Sequence, residues 1–207
     1  MGRLIKYNNN SISAVSAVNL ASGSMVLIKE QTASASASIS FVNGSNGVVL
    51  DNTYDTYLFK FINVHPQTDA VRFQFNLSTD SGSNYNVTKT STFFQAYHDE
   101  ADTATNLNYD GSHDLAQSTG YQDMHTSGIG NGADESLSGY MHLFSPSSST
   151  FVKHFLVNNN IYFSSNYTIN SFIGGYGNTT SPINAINFIV NSGTFDGTIK
   201  LYGIRES

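Results

Sequence analysis

The side chains best suited to chemistry crowd into one stretch, residues 97–136, "YHDEADTATNLNYDGSHDLAQSTGYQDMHTSGIGNGADES". His98, Asp99, Glu100, Asp102, Asp110, His113 and Asp114 are of the types that ligate metals or move protons, with His125 further along and His142 just beyond. Their spacing fits no known ligand pattern. There is no HExxH and no His-x-His pair, and "DEADTATNLNYD" lacks the central Gly and the final bidentate Glu of an EF-hand loop. We therefore read the stretch as a solvated acidic loop and not as a metal centre. Asp80, Asn84 and Asn86 in "STDSGSNYN" could hold Ca²⁺, but the same residue types are what a β-turn requires, and a turn is expected. No G-x-S-x-G elbow announces a serine nucleophile. A glycosidase pair of carboxylates is set by space and not by spacing, yet the strand-like segments are nearly free of Asp and Glu. The expectation is a protein without catalytic residues, metal or cofactor, and so not an enzyme.

Elements must position such residues, and composition limits which ones. The chain has 207 residues, enough for one large β domain to bury a core. It has no cysteine, so no disulfide or thiolate site. Charged residues are 12%, while Ser, Thr and Asn make up about a third, so neutral polar groups carry solubility. A net charge of -6 with nine scattered Lys and Arg argues against nucleic acid as a partner. Apolar runs such as "MVLI" fall far short of the roughly 20 residues of a membrane helix. "MGRLIKYNNN" does not read as a secretory signal, and no membrane partner is expected. There is no Trp for sugar stacking, though Tyr and Phe could substitute. Six Asn-x-Ser/Thr sequons, at Asn9, Asn43, Asn76, Asn86, Asn166 and Asn178, are about what chance supplies in so Ser/Thr-rich a chain.

Alternation dominates the rest. Val71, Phe73, Phe75 and Leu77 fall on one side of "AVRFQFNL" and Arg72, Gln74 and Asn76 on the other, the period of a half-buried strand. "TYLFKFINV" is apolar on both faces and reads as a central strand ending near Pro66. "GYMHLFS", "TFVKHFLV", "NNIYFSS", "INAINFIV" and "GTIKLYGI" have strand length, with Ser-Pro-Ser, Asn-Asn-Asn and Gly-Gly-Tyr-Gly as punctuation. In "KEQTASASASISF", Ala33, Ala35, Ala37, Ile39 and Phe41 share one face and Thr32 and four serines the other. A flexible linker has no reason to keep that period, so a strand is expected, with Ala35 buried and Ala35→Leu overpacked by roughly 1–3 kcal/mol. The fold class is an all-β antiparallel sandwich of jelly-roll type, with residues 1–24 an extended arm or loose terminus, 25–207 the sandwich, and 97–137 a polar insertion.

Three phrases, "QTASASASISF", "DNTYDTYLFKFINVHPQTDAVRFQFNLSTDSGSNYN" and the closing "GTIKLYGI", together resemble virion structural proteins of marine tailed bacteriophages. The resemblance spans Ile28 to about Asn86 and Gly197 to Ile204, and its motifs are structural. It implies a jelly-roll or lectin-like sandwich located in the virion, most simply a capsid decoration (cement) protein on the outer head surface. The alternative is a tail-fibre or receptor-binding module contacting host surface glycans. Implied partners are capsid or tail proteins and further copies of the chain, as a trimer or dimer. Candidate contact residues are Leu4, Ile5, Tyr7, Ile12 and Val15 in the arm, and Tyr176 in the segment "IGGYGNTT", read as a loop.

Overall fold

The computed structural model describes residues 24–205, which form two antiparallel sheets and no helix. The strands are β1 (Met25–Ser36), β2 (Ser38–Val42), β3 (Thr56–Pro66), β4 (Phe73–Ser78), β5 (Lys89–Asp99) and β6 (Thr105–Tyr109). They continue as β7 (Gln122–Asp123), β8 (Leu137–Phe144), β9 (Lys153–Phe163), β10 (Tyr167–Gly177), β11 (Ala185–Val190) and β12 (Phe195–Ile204). The larger sheet runs β1-β12-β3-β8-β9-β10-β5-β6 and the smaller β2-β11-β4-β7. The all-β sandwich expected from the sequence is the architecture found. The arm and its candidate residues Leu4, Ile5, Tyr7, Ile12 and Val15 lie outside the described residues.

The chain changes sheet at most connections. β1, β3, β8 and β12 lie in the larger sheet while β2, β4, β7 and β11 lie in the smaller, and the paired strands β5–β6 and β9–β10 widen the larger sheet beyond β8. Between the sheets, the alternating apolar residues meet as rings. Phe41, Phe59, Phe61, Phe73, Phe75 and Phe188 are all buried, and Phe188 sits with each of the other five within 6.5 Å between centroids. "AVRFQFNL" and "GTIKLYGI" behave as their period dictates: Val71, Phe73, Phe75, Leu77, Ile199 and Leu201 are buried. β12 is an interior strand, hydrogen-bonded to β1 on one side and β3 on the other.

"KEQTASASASISF" is a folded segment but not one strand. β1 ends at Ser36 against β12, and β2 begins at Ser38 against β11 in the opposite sheet. Ala33, Ile39 and Phe41 keep the buried parity through the crossing, whereas Ala35 and Ala37 are exposed at the corner. Ala35 has φ 45°, and its N–H donates to Asp196 Oδ1 at 2.6 Å. The expected overpacking by Ala35→Leu therefore loses its premise, because small residues here serve a sharp bend and not a close-packed face. Ala35→Leu should change unfolding free energy by less than about 0.5 kcal/mol, and Ala35→Gly should gain up to about 1 kcal/mol by relieving the left-handed backbone, both read from urea denaturation.

Two other sequence boundaries dissolve. Asn158, Asn159 and Asn160 do not interrupt a strand but run through the middle of β9. Their amides replace apolar packing with a ladder: Asn158 Nδ2 donates to Asn170 Oδ1 at 3.1 Å, Asn170 Nδ2 to the Asn159 carbonyl at 2.8 Å, and Thr168 Oγ1 to Asn160 Oδ1 at 2.9 Å. Gly174 to Gly177, read as loop, end β10. A Cβ on Gly175 would stand 2.6 Å from the Phe155 ring and 2.7 Å from the Thr90 carbonyl, so glycine here lets a core ring cross the strand.

Candidate functional site

The acidic stretch is built into the sandwich. Its first residues finish β5, it supplies β6 and β7, and Met124, His125 and Ile129 are fully buried. The smaller sheet has half as many strands as its partner, and beyond its last strand β7 the chain of residues 124–129 bonds directly to Asn159, Gln95 and Phe163 of the larger sheet. Ser91 Oγ donates to Gln122 Oε1 at 2.6 Å, the Thr126 hydroxyl donates to Gln95, and Asn159 Nδ2 donates to the Met124 carbonyl at 2.6 Å. Isolated bridges Val71–Ile129 and Ile129–Phe163 stitch the segment to its surroundings. The solvated loop expected from charge alone is thus corrected: alternate burial of a few apolar and amide groups anchors it.

The ionisable groups are spent on local ties. His98 Nε2 lies 3.1 Å from Asp102 Oδ1 at the surface. The Asp99 carboxylate accepts from the Thr103 hydroxyl and from the N–H groups of Ala104 and Thr103, bonds that hold it below the usual carboxylate range. Asp110 is pushed upward by burial, but the Ser112 N–H and His113 outweigh this and keep it low. Arg72 Nε stands 3.1 Å from Asp123 Oδ2, with His113 Nε2 at 3.9 Å on the same oxygen, and the Tyr109 hydroxyl bonds Asp114. Asp80 closes the "STDSGSNYN" turn, accepting from Ser78 Oγ at 2.6 Å, Asn84 N at 2.9 Å and Asn84 Nδ2 at 2.7 Å. Among the described residues, no group of three or more His, Asp and Glu is placed to hold a metal ion.

His125 is the one deeply buried titratable ring of this segment. The Phe73 N–H donates to its Nε2 at 2.9 Å, so the proton of the neutral ring sits on Nδ1 and is donated to the Ser127 carbonyl. Burial, with Arg72 and His113 nearby, pulls its pKa down to about 4 although the Ser127 bond works the other way. The unfolded ring titrates near 6.5, so between pH 6.5 and 4 only the unfolded chain takes up this proton, and stability falls as pH falls. The loss from this residue should reach roughly 3 kcal/mol by pH 4. Urea denaturation at pH 7 and pH 4.5 checks it: His125→Gln should be less stable at pH 7 yet lose less on acidification. An unchanged slope would remove His125 as the cause. The lowered carboxylates act in a separate window, since their contribution is lost only as pH falls below about 3.8.

Residues able to meet a partner lie on the other side of the larger sheet. Outward positions of β8, β9, β10 and β5 align in register: Tyr140 opposite Asn158, Asn158 opposite Phe172, and Phe172 opposite Phe94. In the next row, His142 faces Leu156, which faces Gly174 and then Thr92. Together they line a solvent-open hollow of about 510 Å³. Phe94 and Phe172 are stacked at 5.1 Å and 7°, and Leu156 is 52% exposed. His142 continues a column between Tyr140 and Phe144, at 5.6 and 5.9 Å, and burial lowers its pKa, so a neutral ring is favoured. Gly174 keeps the floor low beside Leu156. Tyr176 shares this outer face, half-buried and edge-on to His154 at 6.1 Å, and belongs to a strand and not to a loop.

Compared with known proteins, the chain matches no family model, no curated protein and no solved structure. The geometry must therefore carry the functional reading. The sequence reasoning named Tyr176 but missed the hollow. Its trace was there in strands that are apolar at both parities, such as Tyr140, Met141 and Leu143 or Phe93 and Phe94, which were legible only as strands and not as neighbours.

Proposed function

We propose that the chain is a non-enzymatic structural protein of a bacteriophage virion, seated on the outer head surface as a decoration protein, with the outer face of the larger sheet as its contact surface. The observation that carries this is the exposed aromatic hollow, since contiguous apolar surface on a soluble β domain marks an interaction site. The strand order adds support. Without the β5–β6 and β9–β10 extensions, β1-β12-β3-β8 facing β2-β11-β4-β7 is the order of a jelly roll, an architecture shared by viral capsid and lectin domains. The resemblance of "QTASASASISF", "DNTYDTYLFKF" and "GTIKLYGI" to virion structural proteins points the same way. Assembly as a dimer or trimer belongs to this reading, as do capsid proteins as partners.

A second reading, a tail-fibre module binding host glycan, is favoured by the pairing of ring faces at Tyr140 and Phe172 with the amide of Asn158 between them. Rings stack on sugar faces while amides meet hydroxyls. Antibody labelling of intact particles separates the two, because heads should be marked under the first reading and tails under the second. Leu156→Ser with Phe172→Ser should abolish rebinding of the purified chain to stripped particles at an unchanged melting temperature. Full rebinding would remove the hollow from the contact surface.

A further inference from the structure

Two lysines are fully buried on the inner face of the larger sheet, Lys89 of β5 and Lys153 of β9, both in register with Gly177 of β10. Neither is paired with a carboxylate among the described residues. Lys153 Nζ donates to two carbonyls, Phe151 at 2.6 Å and Thr179 at 3.2 Å. Lys89 is held differently. Its Nζ stands 2.5 Å from Asn76 Oδ1 and 2.9 Å from the Val87 carbonyl. Asn76 is itself fully buried in β4, with Nδ2 fixed by the carbonyls of Tyr85 at 2.6 Å and Thr119 at 3.0 Å, and the Leu77 N–H at 2.9 Å from Oδ1.

An amine pressed against a rigid side-chain amide in a site without solvent is the reactant pair of a transamidation. We propose that Lys89 and Asn76 join in an intramolecular isopeptide bond that ties β5 of the larger sheet to β4 of the smaller. The lone pair of neutral Nζ attacks Asn76 Cγ, and the carbonyl electrons move onto Oδ1, beside the Leu77 N–H. Collapse of that intermediate re-forms the carbonyl and breaks Cγ–Nδ2. A proton from Nζ passes to Nδ2, which leaves as ammonia, so the products are one secondary amide and one ammonia, with no oxidant or co-reactant.

Burial supplies the neutral amine, since it pulls Lys89 down to about 7. Fixed contact supplies the concentration term that makes an otherwise slow amide exchange accessible. No carboxylate touches the pair among the described residues to relay the proton, so the bond should form slowly after folding, and faster at pH 8 than at pH 6. The Asn76-Leu77-Ser78 sequon has no accessible amide to offer a glycan in the folded chain.

The test is intact mass spectrometry of the full chain under denaturing conditions, after folded incubation at pH 8. The expected result is the sequence mass less one ammonia, with proteolytic fragments carrying Asn76 and Lys89 found joined. Lys89→Arg should show the full sequence mass, and Lys153→Arg should keep the deficit. Asn43, Asn46 and Asn131 each precede Gly and can also lose ammonia by cyclising. A deficit mapped to those sites, or persisting in Lys89→Arg, overturns the proposal. So does the full sequence mass in the wild-type chain. The joined fragment pair decides the matter in the wild type alone, whether or not the variants fold.

Discussion

A chain ending at Asp196 is expected to show no cooperative melting transition. Deleting residues 197–207 removes nearly all of β12, and with it Ile199 and Leu201, two fully buried core side chains. Their transfer term alone is about 3–6 kcal/mol, and the cavity left behind adds to it. The ladder loss is the larger blow. β12 is bonded along its length to both β1 and β3, so its removal leaves two facing strand edges with no partner and splits β1 from the sheet. Against the 5–15 kcal/mol that stabilises a domain, such losses leave nothing folded. Circular dichroism during heating, with dye binding to exposed apolar surface, reads the outcome. A truncated chain that melts cooperatively within a few degrees of the full one would remove β12 from the core.

Phe188→Ala is expected to cost about 3–5 kcal/mol, the usual toll of emptying a fully buried aromatic site. Phe188 has no exposed surface, and its ring is 5.2 Å from Phe61, 5.4 Å from Phe59 and 5.9 Å from Phe73, with Phe41 and Phe75 further out. These five rings come from both sheets and from three different strands, β2, β3 and β4, so no single neighbour can collapse into the void without leaving another. For a chain of this length the melting temperature should fall by roughly 10 °C. Phe188→Leu, which keeps most of the volume, should cost roughly a third to half as much. Urea denaturation of both variants checks the ranking, and a loss under about 1 kcal/mol for Phe188→Ala would mean that the rings are not the keystone between the sheets.

Much of this fold was legible because one face of each strand is buried and the other is wet. Val71 to Leu77 and Ile199 to Leu201 carry that signal without ambiguity, and the structure buries every one of the apolar positions. Legibility failed where polar side chains substitute for apolar packing. Asn158 to Asn160 look like punctuation because isolated asparagines favour turns, yet here Asn158 and Asn160 find an amide and a hydroxyl on the neighbouring strand and Asn159 donates inward to the Met124 carbonyl. It failed again at Ala35, where period two continues unbroken while the chain bends from one sheet to the other, since parity says nothing about which sheet a residue faces. The insertion misled through its charge: its anchors are Gln122, Met124, His125 and Ile129, two polar and two apolar side chains scattered among its acidic residues. The hollow was hidden for a different reason, as its lining comes from four strands, and the pairing that brings Phe94 of β5 beside Phe172 of β10 joins segments far apart in sequence. Lys89 and Asn76 are likewise ordinary until the fold brings them together.

The strands that line the hollow carry two independent messages on alternate residues. Along β5, Ser91, Phe93 and Gln95 face inward and serve folding, while Thr92 and Phe94 between them face solvent. β8, β9 and β10 are written the same way, with Met141, Val157 and Ile173 inside and His142, Leu156 and Phe172 outside. Because both sets ride on one backbone ladder, the outer residues can be exchanged without disturbing the inner ones. The face is therefore open to drift in partner, in nature or in a randomised library, while the molecule keeps its melting temperature.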